Sequence, residues 1–547
     1  MPNFNTPLEA FFYWEQNDAD RIFLRQPVNG TYTEHTYGEA GLEARKIASA
    51  IIALDLPPRS QIALLSKNCS HWFMADLAIM MAGHVSVPIY PTLNADSIAQ
   101  ILQLSHAKAI FIGKLDDFES QEAGISGITK IGVAAYGHTT ALLWEGLLEQ
   151  HPPLTTPHQQ KPEELTTLIY TSGTTGKPKG VMHSAGNFMT SAAALVDLVA
   201  LPEHPKLFSY LPLSHIAERA GVEMRGMLMG AQIFFAESLD TFARDLEAAQ
   251  PHSFGAVPRI MTKFQEKILE QLPQKKLNVL LKIPLLKNLI KNKLRKKLGL
   301  RDARIIVSGA APMAKSLLHW YAKLGIAVNQ MYGMTEDCIV SHTNVPGANK
   351  IGSVGKPLKG VLTKLSPEGE ICIKNDCLLL GYFEAPEATK ATFTSDGFLK
   401  TGDVGEYDHD GYLTITGRLK DQFKTDKGKY IAPAPIELAL SKNTDIDQIC
   451  IVGTGIPQPI ALITPSLAGK EKPRLELSSS LETTRSELNQ TLEKHEKIEK
   501  VVVMKEEWTV DNGCITPTLK VKRNTIEQMH RAYYKSWFDL SETVLFE

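Results

Sequence analysis

Leu168–Val181, LIYTSGTTGKPKGV, is the stretch whose reading decides the fold. An apolar, β-branched run enters it. Thr171, Ser172, Gly173, Thr174, Thr175, Gly176, Lys177, Pro178, Lys179 and Gly180 then follow without a break. Glycines let successive backbone N–H groups turn toward one point, which makes a nest for an anion. Four hydroxyls and two lysines surround that point and no carboxylate does, the donor set a polyphosphate requires. A Walker-type loop has more residues between its glycines and a Ser or Thr after its lysine. Here only Thr174 and Thr175 separate Gly173 from Gly176, and Pro178 follows Lys177. The proline also disfavours a helix starting at that point.

Outward from the loop, from about residue 40 to 310, short strand-like runs alternate with helical patterns. SQIALLSK leads to HWFMADLAIMMAG and VSVPIYP; AKAIFIG, KLFSYLPL, AQIFFA, RDARIIVSGAAPM and IAVNQMYG come later. That alternation predicts an α/β fold with parallel sheets flanked by helices. After Gly352 short strands crowd together with Gly-rich turns, as in GEICIKN and DGFLKTGDVGEYDHDGYLTITGR, and predict an antiparallel or barrel-like part. After Arg418 the composition turns charged, and a smaller α+β unit is expected, with a polar helix around residues 486–497. The expected division is a large unit over 1–419 and a small one over 420–547, which suits a chain of 547 residues.

The 58 basic and 60 acidic side chains nearly cancel, which excludes a surface built as a whole for nucleic acid. Six scattered cysteines without a C-x-x-C signal neither a disulfide framework nor a zinc site, and free thiols fit a reducing, cytoplasmic compartment. The N-terminal MPNFNTPLEAFFYWEQ lacks a basic, then apolar, secretory pattern. The most apolar run, from His71, is interrupted by Asp76, Gly83 and His84 and reads as a buried helix and strand.

Further strings follow in order: YLPLSHIAER (210–219), VSGAAPM (307–313), QMYGMTE (330–336), TGDVG (401–405), GRLKDQFKTDKGKYIAP (417–433) and TPTLKVKR (516–523). With the Gly/Thr loop they resemble the adenylate-forming superfamily of acyl-CoA synthetases, luciferases and peptide-synthetase adenylation domains. The match runs from about residue 35 to the C-terminus, and LPLSHIAER and SGAAPM look most like long-chain fatty acid–CoA ligases. The resemblance implies a large domain of stacked, helix-flanked sheets with a small barrel-like part, and a mobile C-terminal lid. It implies a reaction in two steps. ATP and a fatty acid give acyl-AMP and pyrophosphate; coenzyme A then takes the acyl group.

By the same resemblance the nucleotide is held by Thr171, Ser172, Gly173, Thr174, Thr175, Gly176 and Lys179. Gly309, Ala310 and Ala311, then Gln330, Met331, Tyr332 and Gly333, face adenine and acyl chain, with Tyr332 stacked on the base. Asp403 takes the ribose and Arg418 adds a donor. Thr335, Glu336, His215 and Lys520 are the catalytic set, Glu336 and Thr175 hold Mg²⁺, and Lys420 is the hinge. Chemistry agrees: a short acceptor suits ribose hydroxyls, a carboxylate beside phosphates suits Mg²⁺, and a lysine can neutralise a carboxylate and an α-phosphate together. The acyl pocket is expected between His215, Gly309, Ala310 and Gln330, with His215 either a gate or a packed polar group.

KTDKGKYIAP departs from the commoner versions of its motif, which leaves a carrier-protein phosphopantetheine open as the acyl acceptor. A luciferase-type oxidation and a non-catalytic AMP- or lipid-binding relative are the other rivals. The run 274–299, QKKLNVLLKIPLLKNLIKNKLRKKLG, holds eight lysines and one arginine and no acid. Leu286, Leu289, Ile290, Leu294 and Leu298 recur at helical spacing within it. It reads as a domain-packing helix with a solvated basic face, as part of the coenzyme A site, or as a helix for peripheral contact with the inner face of an anionic membrane at 275–297.

Overall fold

The computed structural model describes residues 3–172, 178–516 and 520–547. Two large sheets organise the first four hundred residues. The first has nine strands. Six of them, Val328–Tyr332, Ile305–Ser308, Ser253–Ala256, Lys206–Ser209, Gln232–Phe235 and Ile22–Val28, lie side by side and parallel. The second has eight strands. In it Leu165–Ser172, Val85–Ile89, Gln61–Leu65, Ala109–Ile112, Thr129–Gly132 and Leu142–Leu143 run parallel. Pro178–Ser184 folds back antiparallel on Leu165–Ser172, so the Gly/Thr loop joins two hydrogen-bonded neighbours.

One core cluster includes side chains from both sheets and from helices Pro7–Asn17, Tyr37–Ala53, Ser70–Met81 and Ala185–Val196. Ser70–Met81 is mostly apolar around its whole circumference, Asp76 being its one acid, and all its residues but His71 are buried, as expected of a helix enclosed by other layers. Phe73 on this helix meets Phe235 of the nine-stranded sheet edge-on, with 5.4 Å between ring centroids.

At the centre of that layer sits Arg219, with 0% of its side chain exposed. It lies on the crossover from Lys206–Ser209 to Gln232–Phe235, in a π turn spanning Arg219–Met224. One guanidinium nitrogen donates to both carboxylate oxygens of Asp76 at 2.7 Å and to Ser86 Oγ at 2.8 Å; another donates to Thr167 Oγ1 at 2.9 Å. Ser86 and Thr167 belong to the eight-stranded sheet, so one side chain ties the two sheets together. Trp72 and Phe188 lie 5.3 and 5.4 Å from the guanidinium carbon. Glu223, 3.5 Å from Nε, is pushed well above the usual carboxylate range by burial and then by Asp76, and adds little negative charge.

The crowded strands after Gly352 form a four-stranded antiparallel sheet of Leu362–Leu365, Glu370–Lys374, Leu399–Tyr407 and Leu413–Arg418. Farther on, Ile446–Val452, Ile460–Pro465, Lys500–Val503 and Val544–Phe546 make a separate four-stranded sheet with its own apolar clusters. The polar helix of this region is Arg474–Asn489, earlier than the sequence suggested. Residues 490–499 instead make turns before the next strand, and Leu477 and Leu481 are the buried anchors. No described helix is long and apolar enough to cross a membrane.

Removing one partner from a buried pair leaves an uncompensated charge, at a cost of about 3–5 kcal/mol. Arg219→Met is therefore expected to lower the unfolding free energy by about that much, read from the urea midpoint. Arg219→Lys is expected to recover only part of it, since an ammonium cannot reproduce the planar fork. An unchanged midpoint in Arg219→Met would contradict this account.

Candidate active site

Open α/β sheets usually bind ligands beyond the C-terminal ends of their parallel strands, and Ser214, Ser308 and Gln330 lie at or just past such ends in the nine-stranded sheet. Three polar groups there are buried without a hydrogen-bond partner among the described residues: Ser214 Oγ, Ser308 Oγ and Gln330 Oε1. Ser308 and Gln330 are register partners on neighbouring strands. Orphaned buried polar groups are costly, so this set marks a place for a polar ligand. Gly309 follows Ser308, and a Cβ on it would stand 3.1 Å from Met331 O. Ala310 holds φ +67°, a left-handed conformation that an alanine rarely adopts. Ala310 and Ala311 are exposed on the rim. A Cβ on Gly333 would fall 2.7 Å from the Ile339 backbone, so only glycine fits between Tyr332 and the following 3-10 turn, Thr335–Asp337.

Tyr332 ends its strand with its hydroxyl donating to Asp403 Oδ2 at 2.7 Å. Arg418 Nε donates to Asp403 Oδ1 at 2.8 Å. Asp403 and Arg418 are register partners on Leu399–Tyr407 and Leu413–Arg418, so the pairing of these strands presents the couple. Burial, and then Asp403, push the Tyr332 phenol well above its usual range, which keeps it a donor. Arg418 is stabilised as a cation, chiefly by Asp403. The sequence reading gave Tyr332 only its ring face; the structure adds a hydroxyl that orients the acidic residue.

Glu336 accepts from the Tyr382 hydroxyl at 2.9 Å. Lys179 places its ammonium 4.8 Å from the centre of the Tyr382 ring. Burial raises the Glu336 carboxyl, against the Tyr382 hydrogen bond and the positive charges of Arg418 and Lys179. Tyr382 escaped sequence reasoning. Its short strand, Gly381–Tyr382, pairs with Val181 and Met182 across about two hundred residues, and no local signal in GYFEAPE announces that. Thr335 is buried, and its carbonyl accepts from His183 Nε2 at 2.7 Å. No group of three or more His, Cys, Asp or Glu residues could hold a metal ion among the described residues. Glu336 still suits a Mg²⁺ shared with phosphate oxygens, since such sites take only one or two protein carboxylates.

His215 caps the short helix Ile216–Glu218, its Nδ1 accepting from the Ala217 N–H at 3.1 Å. Burial first and Lys520 second push its pKa down to about 4, so the ring is neutral at physiological pH. Neighbouring Glu218 is raised to about 8, chiefly by burial, while it accepts from the Tyr210 N–H at 2.9 Å.

The Thr516 N–H donates to the Lys520 carbonyl at 2.8 Å, and the Lys520 N–H to Thr516 Oγ1 at 3.1 Å. Lys520 keeps access to solvent; lost hydration first and the positive charge of Arg418 second hold its pKa down to about 8 against the pull of Asp403. Lys520 is thus within electrostatic reach of His215, Asp403 and Arg418, although it lies about a hundred residues from the nearest of them in sequence. Lys420 is exposed in the turn after Leu413–Arg418. Thr171 lies at the end of its strand opposite Lys179. The Ser172 side chain and Gly173, Thr174, Thr175, Gly176 and Lys177 lie outside the described residues.

This geometry has relatives. The most similar curated proteins include the long-chain-fatty-acid–CoA ligase FadD15 of Mycobacterium bovis, 29% identical with 94% of each chain covered. Long-chain-fatty-acid–CoA ligase 5 of Rattus norvegicus is 27% identical, covering 95% of this chain and 86% of the rat protein. Among solved structures, the adenylation domain of a carboxylate reductase from Mycobacterium chelonae superposes with a TM-score of 0.82 at 20% identity, over 98% of this chain and 91% of that one. The o-succinylbenzoate CoA synthetase of Bacillus subtilis, in complex with its acyl-adenylate, gives 0.75 at 22% identity, over 96% and 98%. These two share the fold. Residues 11–383 match the AMP-binding enzyme family model, and residues 420–537 match the model of the AMP-binding enzyme C-terminal domain. The chain belongs to the AMP-binding enzyme family.

Proposed function

We propose that this protein is a long-chain fatty acid–CoA ligase that works through an acyl-adenylate. The observation that carries the reading is the placing of Tyr332 and Arg418 on Asp403, with Lys520 within electrostatic reach of that couple. The curated relatives named as long-chain ligases support the substrate class.

Attack of the fatty carboxylate on the α-phosphorus of ATP forms the acyl–phosphate C–O–P linkage and expels pyrophosphate. Two anions must meet, so the chain's contribution is positioning and charge. Asp403, fixed by Tyr332 and Arg418, accepts from the ribose hydroxyls. Lys520 brings its ammonium between the carboxylate and the α-phosphate. Lys179 and the loop 171–180 take the outer phosphates. Glu336 and Thr175 would hold Mg²⁺, which would supply further neutralisation of the phosphates. In the second step the thiol of coenzyme A attacks the acyl carbonyl and AMP leaves. A division at Lys420 between a large unit, 1–419, and a small one, 420–547, would let the small unit turn so that 425–430 replaces the Lys520 loop at the site. The Arg259–Asp447 pair at 3.1 Å, which links the helix Pro258–Gln271 to the small unit's sheet, is half-exposed. Such a pair is worth at most about 1 kcal/mol and would yield readily.

Pyrophosphate release across carboxylic acids of increasing chain length, with the product identified by mass spectrometry, tests the reading. A long-chain optimum and an acyl-CoA product are expected. Product formed only with a holo-carrier protein would shift it to the carrier-loading alternative, and no pyrophosphate with any acid would overturn it.

Lys520→Ala is expected to cut pyrophosphate release by about a hundredfold or more. It should leave thioester formation from supplied acyl-AMP largely intact. Because the lysine must be protonated, kcat/KM for adenylation should fall as pH rises through about 8. Lys520→Arg should remove that alkaline limb. Near-normal pyrophosphate release by Lys520→Ala would refute the assignment.

Lys420→Pro is expected to slow thioester formation by about tenfold more than adenylation, since proline restricts the turn there. Equal losses in the two half-reactions would argue against a hinge.

A further inference from the structure

The run 274–299 divides into two helices, Gln274–Leu280 and Pro284–Lys297. The sequence pattern put Leu286, Leu289, Ile290, Leu294 and Leu298 on one apolar face. In the structure that face is split. Ile290, Leu294 and Leu298 pack on the core cluster beside the nine-stranded sheet, and Leu277 is buried in it. The Trp320 indole N–H donates to Gln274 Oε1 at 2.8 Å and pins the first helix. Val279, Ile283, Leu286 and Leu289 are left in solvent, with 60, 41, 39 and 63% of their surface exposed.

These four apolar side chains stand among cations. Lys275, Lys276, Lys282, Lys287, Lys293, Lys296 and Lys297 are all exposed. Among the described residues none of the eight lysines of this run has a carboxylate within ion-pair distance; the ion pairs flanking it belong to Arg259 and Arg301. Leu286, Leu289, Lys293 and Lys296 follow one another at steps of three and four, so they share one stripe of the second helix. Seven exposed positive charges therefore stand around an exposed apolar ridge, in a chain whose net charge is −2. A solvated basic face would account for the lysines but not for the leucines. A purely anionic ligand such as a nucleotide would likewise leave the ridge in water.

We infer that the helices 274–297 dock this protein on an anionic lipid membrane, the ridge Val279–Ile283–Leu286–Leu289 entering the headgroup–acyl boundary while the lysines meet the lipid phosphates and carboxylates. Amphipathic surface helices bind in this way, through apolar burial and charge attraction together. The inference stands on these residues and does not depend on the substrate proposed above.

The test is flotation of the full chain with phosphatidylcholine vesicles and with vesicles that also contain phosphatidylserine. The protein should float only with the second kind. Combined Lys282→Gln, Lys287→Gln, Lys293→Gln and Lys296→Gln should weaken that partitioning by about a hundredfold or more. Combined Leu286→Ser and Leu289→Ser should weaken it by about tenfold and make the remainder fully salt-reversible. Both variants change exposed side chains, so their melting midpoints should match the parent's. Equal flotation with neutral vesicles, no flotation with either, or a leucine variant that binds like the parent would each overturn the proposal. So would binding to heparin as tight as to anionic vesicles and equally indifferent to the leucines.

Discussion

A guanidinium sealed between two β-sheets is the constraint on which their packing depends. Arg219 has no water to fall back on, so its charge must be met by protein: Asp76 from the central helix, Ser86 and Thr167 from the eight-stranded sheet. Those donors and acceptors fix where the crossover of the nine-stranded sheet lies against its neighbour. The same crossover carries His215 four residues upstream and Glu218 one residue upstream. Asn68, just beyond a strand of the eight-stranded sheet, donates to Ser209 Oγ at 2.8 Å and to Leu211 O at 2.7 Å, which secures the entry to this segment. The segment that carries His215 and Glu218 is thus held by polar bonds across the layers, while the apolar helices fill the rest.

Pre-paired charges recur in the site. Asp403 is fixed on one side by a phenol and on the other by a guanidinium, and both partners come from different strands of different sheets. Glu336 leans on Tyr382, whose ring in turn faces Lys179. A carboxylate so constrained pays little further entropy when a ligand arrives, which is the physical content of preorganisation.

Much of this was legible in the chain. Alternating β and α texture foretold the parallel sheets, and the Gly-rich, closely spaced strands after Gly352 foretold the antiparallel one. TGD and GR, read separately, turned out to be neighbours because their strands pair in the register that sets Asp403 beside Arg418. What could not be read was long-range contact between unlike segments. Tyr382 reaches Glu336 only through a two-residue strand pairing, and Arg219 finds Asp76 across 143 residues. Periodicity also misled once. Helical spacing showed that Leu286 and Ile290 share a neighbourhood on the helix, but only packing decides which is covered. The polar helix misplaced to 486–497 shows the same limit, since its buried leucines, Leu477 and Leu481, lie in the part the pattern left out.

The seating of Lys520 beside Arg418 has an energetic sign of its own. Two neighbouring cations repel, and lost hydration first and Arg418 second hold the pKa of the lysine down. A triphosphate placed between the same two groups turns repulsion into attraction. Ligand occupancy and the seating of Lys520 are therefore thermodynamically reciprocal: each tightens the other by the same factor. An anion between the two cations would thus recruit the very charge that neutralises it.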